Sequence, residues 1–382
     1  MNTKIIALLL LFISSSVSAQ IQYEEIRSYK LGQTRQLKVQ LPRNYDTNTE
    51  KKYPILVVLD GDYLFEPIAG MADYFSYWGE MPEVIVVGVV QDETREDDTF
   101  YDDVNSLPSK SGVSFFEFLG IEMMPWLDKK YRTTSFRIVA GHNVTANFLN
   151  FYLMKDHPLF QGYISLSPDL SPEMDTRLEA QLAKIKQKTF YSLATGSEDV
   201  KSLRRDAMAL DGKLDAISNP NLTYRFDHFR GATHYSLVGD AIPSALENIF
   251  SKYRPISKND YKEVLLEMAG SPFDYLVEKY ASIKELYGLE EPIRINDFTA
   301  VFRALQKRSG WEDMKKLGDL ARNSYPETML GNYYTAVALE QLGEPKKAMR
   351  AYQNAFLLDE ISFLTKDLML EKADNIKDDF GY

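Results

Sequence analysis

The stretch that decides the fold is "FRIVAGHNVTANFLNFY", residues 136–152. Its first five residues, apolar except for Arg137, read as a short buried strand. Gly141, His142 and Asn143 follow as a tight turn, and from Val144 onward the pattern is helical. A strand-to-helix turn of this form exposes a nucleophilic serine at the centre of G-x-S-x-G. Here Asn143 stands at the centre and Thr145 replaces the second glycine. The rest of the chain decides whether this is an elbow without its nucleophile or a chance look-alike.

Working outward, strand and helix signals alternate through the first ~250 residues. "IQYEEIRSY" (21–29) is a weak first strand, and "TRQLKVQLP" (34–42) alternates in polarity like a half-buried one. "YPILVVLDG" (53–61) and "EVIVVGVV" (83–90) are continuous Val- and Ile-rich runs, as expected of strands buried on both faces of a parallel sheet. After "FRIVAG" come "GYISLSP" (162–168), "KTFYSLATG" (188–196) and "NLTYRFDHF" (221–229). Helical patterns cover residues 115–130, 144–154, 200–217 and 242–253. The alternation predicts a doubly wound α/β sheet, in which a site lies at the carboxyl ends of the strands. Those ends carry Asp60-Gly61-Asp62, Gln91-Asp92, the Asn143 turn, Ser167-Pro168, Ser197-Glu198-Asp199 and the loop to His234.

Arg254-Pro255 breaks the last helix, and no clear strand signal follows. The predicted organisation is a signal peptide (1–19), a sheet domain (20–255) and an all-α domain (256–382). In the last, Ala336, Ala348, Tyr352 and Ala355, with Leu342-Gly343 at a turn, match one tetratricopeptide-like repeat. One repeat cannot bury a solenoid core, so these helices are expected to pack as a cap or to offer a surface to a protein partner.

Composition narrows the chemistry. The chain has 382 residues, 45% of them hydrophobic and 26% charged, which is the balance of a soluble globular protein. There is no cysteine, so thiol nucleophiles and thiolate metal sites are excluded. Four histidines without a ligand-like spacing give no case for zinc, and no cofactor is expected. A net charge of -11 argues against nucleic-acid binding. The run after Lys4, ending Ser-Val-Ser-Ala, is too short to span a membrane and reads as a secretory signal cut after Ala19. The expectation is an exported protein, periplasmic or extracellular, without a membrane span.

An elbow, then an acid, then a histidine is the chain order of one triad class. Glu198 and Asp199 are the acid candidates, with Glu198 preferred, and His234 in "GATHYSLV" is the base. With "YPILVVLDGDYLF", "VIVVGVVQDETRED", "SGVSFFEFLGIEMMPWLDKKYRTTSFRIVAGH", "HPLFQGYISLSPDL" and "FRGATHYSLV", residues 34–253 resemble the "Putative esterase" family of α/β-hydrolases. This group includes esterase D and enterochelin esterase relatives. The resemblance implies metal-free hydrolysis of carboxylic esters or thioesters by Ser, His and an acid. It places His234 at the base, Glu198 near the acid, and the backbone N–H of Val144 with that of Asp62 or Tyr63 in an oxyanion hole.

The departure lies at the centre. The family elbow reads G-H-S-x-G-G, and this chain reads Gly141-His142-Asn143-Val144-Thr145-Ala146. An amide is no nucleophile, and loss of the serine from an intact triad costs about 10⁶-fold in turnover. Thr145 is expected to relax or repack the turn. Ser167 reads as a turn-former, and the acidic run 92–103 as a solvated loop in which Arg95 could face an anionic substrate. Tyr63, Phe65, Tyr74, Phe75, Tyr77 and Trp78 read as a local core or a pocket wall. Three functions stay open. One is an impaired or inactive esterase homologue that binds a small ester-like ligand or a partner. The others are an ester hydrolase still using His234, and a scaffold working through its C-terminal helices.

Overall fold

The computed structural model describes residues 21–381; the predicted signal segment lies outside them. The chain divides into two compact units, Met1–Ser251 and Lys252–Tyr382. Among the described residues, no helix is long and apolar enough to cross a membrane.

The first unit is built on one eight-stranded sheet: β1 (Ile21–Arg27), β2 (Thr34–Gln40), β3 (Tyr53–Val58), β4 (Ile85–Val89), β5 (Thr133–His142), β6 (Gly162–Leu166), β7 (Thr189–Glu198) and β8 (Leu222–Thr233). Their order across the sheet is β1-β2-β4-β3-β5-β6-β7-β8. β1 pairs with β2, and β2 with β4, antiparallel; every later pair is parallel. The continuous apolar runs occupy the middle. Every residue of β3, β4 and β6 is buried, as required of strands covered by helices on both faces. Burial of one Val, Leu or Ile side chain is worth about 1.5–3 kcal/mol, so these runs fix the centre of the sheet. The half-polar β1 and β2 fall at one edge.

Helices Ser111–Glu117 and Met124–Lys130 are joined by a π-helical turn, Phe118–Met123, where a single helix was predicted. Leu237–Ile249 starts five residues earlier than its sequence pattern and holds Pro243. Besides the single helical turn Arg95–Asp98 in the acidic run, two longer helices have no counterpart in the sequence pattern, Phe65–Tyr77 and Met174–Leu182. In the former, Phe65, Ile68, Ala69 and Ala72 are buried at helical spacing, while Tyr74, Tyr77 and Trp78 are exposed. The aromatic run after β3 is therefore neither a core as a whole nor a single wall.

In the second unit, the helices Ile295–Lys307, Trp311–Ser324, Leu330–Gln341 and Pro345–Ala355 follow one another with short connections, and a longer one leads to Lys366–Phe380. They share a core that includes Phe302, Leu317, Tyr334, Tyr352 and Ile376. Ala336, Ala348, Tyr352 and Ala355, the positions singled out in the sequence, are all fully buried. The chain turns between the third and fourth of these helices at Gly343, with φ 76°.

Candidate active site

β5 ends in a sharp turn. Asn143 has φ 61° and ψ -119° and is followed at once by the helical turn Val144–Phe148. This is the backbone of the first central residue of a type II′ turn, where glycine is the usual occupant. A side chain held there costs on the order of 1–3 kcal/mol, somewhat less for asparagine. The Asn143 N–H donates to Leu166 O at 3.0 Å, and its carbonyl accepts from the N–H groups of Asn147 (3.2 Å) and Asp169 (3.1 Å). Gly141 allows the helix to approach: a β-carbon there would lie 2.7 Å from the carbonyl carbon and oxygen of Thr145. The expected relaxation of the turn is absent. Thr145 is fully buried, and its hydroxyl accepts from the His142 N–H at 2.9 Å and donates to Asp60 Oδ2 at 2.6 Å.

β7 and β8 bring the next two groups together. His234 Nδ1 lies 2.8 Å from Asp199 Oδ1. Asp199 Oδ2 accepts from the Thr195 hydroxyl, and Oδ1 from the Val200 N–H, each at 2.8 Å. Burial pushes the Asp199 carboxyl up, but hydrogen bonds from Ser167, Thr195, His234 and the Val200 N–H outweigh it and hold the group below its ordinary value. The carboxylate thus fixes the imidazole with its proton on Nδ1 and leaves Nε2 as the basic nitrogen, the role of the acid in a triad. Ser167 Oγ sits 3.1 Å from the same Nδ1. Ser167 is fully buried with φ 45°, so it shapes the turn after β6 and steadies the His–Asp pair. The approach of β8 depends on Gly196, where a β-carbon would fall 2.1 Å from Ala232 O.

The preference for Glu198 is corrected. Glu198 is exposed and pairs through its backbone with Thr233, while the neighbouring Asp199 turns into the site. A register irregularity between Gly196 and Glu198 sets which of the two faces inward. The proposed oxyanion donors also divide. Val144 opens a helical turn, so its N–H has no intrahelical acceptor. The Tyr63 N–H is taken by Asp60 O at 3.2 Å. The Asp62 carboxylate accepts from the Gln91 N–H at 2.9 Å, which fixes the Asp62 side chain beside the end of β4.

Beneath the turn lies a network that the sequence did not announce. Asp60 is fully buried with φ 55°. Arg95 grips it through Nε to Oδ1 at 2.6 Å and Nη2 to Oδ2 at 3.1 Å, and Nη2 also donates to His142 O at 3.0 Å. Arg95 is therefore engaged by Asp60 and does not stand free for an anionic substrate. The acidic run is not wholly solvated either, since Asp98 is buried in an ion pair with Arg35. His142 Nε2 faces the His234 carbonyl at 3.0 Å and must donate to it, while Nδ1 lies 3.1 Å from the oxygen of Tyr63, whose hydroxyl proton goes to Asp60 Oδ2 at 3.0 Å. Burial, and secondarily the neighbouring His234, lowers the His142 pKa to about 4, which keeps this ring neutral. The two imidazoles lie 4.3 Å apart between centroids.

A strained turn after the fifth strand, with a His–Asp pair delivered by the last two strands of this sheet order, defines an α/β-hydrolase domain. The sequence profile of the "Putative esterase" family matches residues 28–223, just over half of the chain. The chain belongs to that family. Among solved structures, an uncharacterised protein from Capnocytophaga ochracea is similar at TM-score 0.85 and 27% identity, covering 94% of this chain and 100% of its own. An IroE-like serine hydrolase from Shewanella oneidensis follows the same fold at TM-score 0.60 and 20% identity, covering 79% of this chain and 99% of its own. The siderophore hydrolase EstB from Aspergillus nidulans matches at TM-score 0.50 and 15% identity, covering 62% of this chain and 97% of its own. No curated protein matches the sequence.

Proposed function

We propose that this protein is a member of the esterase family in which Asn143 has taken the place of the nucleophile, and that its pocket binds an ester-like ligand without appreciable turnover. The observation that carries this reading is the coexistence of an intact His234–Asp199 pair with an amide at the turn. Position 143 keeps a backbone that only a specific environment tolerates, so the site has kept its form where it has lost its chemistry. The leading segment supports export, and binding would then take place outside the cytoplasm.

A second reading is a weak hydrolase. Asp199 fixes the His234 tautomer, so Nε2 can take a proton from water directly. In that case turnover would be slow and would fall in His234→Ala. A third reading assigns the work to the C-terminal helices. The buried Ala336, Ala348, Tyr352 and Ala355 support a tetratricopeptide-like hairpin at residues 330–355 that could hold a protein partner.

Hydrolysis of short-chain aryl esters and of siderophore esters by wild type and Asn143→Ser, with wild-type ligand binding followed by calorimetry, separates the three. The leading reading expects saturable binding without turnover in wild type and turnover in the variant. Equal and robust turnover by both would overturn it. Partner binding that is lost on deleting residues 259–382 but indifferent to pocket changes would favour the scaffold.

A further inference from the structure

Position 143 is held by more than the turn itself. The two peptide planes that meet at its Cα are both fixed. The plane on its C-terminal side is held through the Asn143 carbonyl, which accepts from Asn147 N (3.2 Å) and Asp169 N (3.1 Å). The plane on its N-terminal side is held at both ends, by the Asn143 N–H on Leu166 O (3.0 Å) and by the His142 carbonyl on Arg95 Nη2 (3.0 Å). One plane earlier, the His142 N–H donates to Thr145 Oγ1 at 2.9 Å. The Thr145 hydroxyl carries one proton and gives it to the buried carboxylate of Asp60 at 2.6 Å, the carboxylate that Arg95 also grips. Two side chains far apart in sequence therefore bind the N–H and C=O of one residue, and both end on the same acid.

We propose that Asp60, Arg95 and Thr145 form a positioning clamp that holds residue 143 in the geometry of a nucleophile, with the Thr145 hydroxyl supplying a hydrogen bond that a glycine at 145 could not. A glycine at 145, inside the helical turn, would leave the His142 N–H without this partner. The threonine that replaces it is anchored on Asp60 and ties down the residue preceding the turn. The site is thus one side chain short of a reactive group, and its framework is kept by Asp60, Arg95 and Thr145. This inference rests on the reading of position 143 as a vacated nucleophile position.

The test introduces Asn143→Cys into the full chain and follows alkylation by iodoacetamide against pH. The thiolate sulfur attacks the methylene carbon and iodide leaves, while the thiol proton passes to His234 or solvent. The clamp predicts titration of the introduced thiol below the ordinary cysteine value of about 8.5. Adding Thr145→Val should slow alkylation about tenfold at neutral pH and return the profile toward that of a free thiol, since small misplacements at a reacting centre cost rates of this order. Thr145→Ser should restore the rate to within about twofold of the parent. Should Thr145→Val unfold by circular dichroism, Arg95→Gln probes the carbonyl side and should slow alkylation likewise. The clamp is overturned if the folded Val or Gln variant matches the parent in rate and profile, or if Ser fails to restore it. Thr145-dependent reactivity in a protein whose wild type binds no ester-like ligand would sustain the clamp while removing the binding function.

Discussion

Replacing Asp60 probes the energetic side of the network. Asp60 is fully buried and receives hydrogen bonds from Arg95, Thr145 and Tyr63. Removing one partner of a buried ion pair costs about 3–5 kcal/mol. The Arg95 side chain keeps 30% exposure, so water can take over part of what it loses, and Asp60→Asn retains the shape. The expected loss is then about 2–4 kcal/mol, or roughly 4–16 °C in the melting of a sheet domain of this size. Thr145→Val alone deletes a hydrogen bond to a carboxylate and should cost about 1.5–3 kcal/mol. The two changes share one bond, so the double variant should fall short of the sum by about 1–2 kcal/mol. Urea titrations of the four proteins, followed by a sheet-domain signal, measure this coupling. Additivity within about 0.5 kcal/mol would refute the claim that the hydroxyl acts through Asp60.

Other consequences follow from the His–Asp pair and its setting. The folded Asp199 carboxyl is held below its ordinary value, so its contribution to stability is full above about pH 4, the unfolded value. It is lost as pH falls through the lowered folded value; the stability difference between wild type and Asp199→Asn should therefore be large at pH 6 and shrink toward pH 2, and a difference constant with pH would contradict the assignment. Glu198→Ala should change stability by no more than about 0.5 kcal/mol and leave the reactivity of Asn143→Ser intact, whereas Asp199→Ala in that background should reduce fluorophosphonate labelling at least tenfold. Gly196→Ala places a methyl 2.1 Å from Ala232 O and must displace the end of β8. A loss of about 1–3 kcal/mol is expected, together with loss of labelling in the Asn143→Ser background.

The parts of the fold legible in sequence were those set by local pattern. The runs of β3, β4 and β6 are apolar throughout because both faces are covered, and that pattern needs no partner to be read. The break between β5 and its helix and the position of His234 after the last strand were legible for the same reason, although Gly141 and His142, expected in the turn, belong to β5 and Asn143 alone makes the turn. The choice between Glu198 and Asp199 was not. It depends on a register irregularity at Gly196 that alters which residue faces inward, and a count by twos along the strand cannot see it. Helix Phe65–Tyr77 was obscured because its exposed face carries Tyr74, Tyr77 and Trp78, which look like core residues until the buried spacing of Phe65, Ile68, Ala69 and Ala72 is singled out. Thr145 misled in another way. As a β-branched residue in a glycine position it implied a relaxed or repacked turn, and what could not be read is that it repacks through a hydroxyl whose acceptor is 85 residues away in sequence. Polar networks of that reach leave no local trace.

The central proposal is that the Asn143 turn and the His234–Asp199 pair form an esterase site with its framework in place and its nucleophile removed. Intact-mass measurement after exposure to a fluorophosphonate tests it most directly, with wild type and Asn143→Ser compared side by side. A serine oxygen at position 143 would attack phosphorus and expel fluoride as its proton passes to His234. The account predicts no adduct on wild type and one adduct per chain on Asn143→Ser. An adduct on wild type, or none on a folded Asn143→Ser, would contradict it.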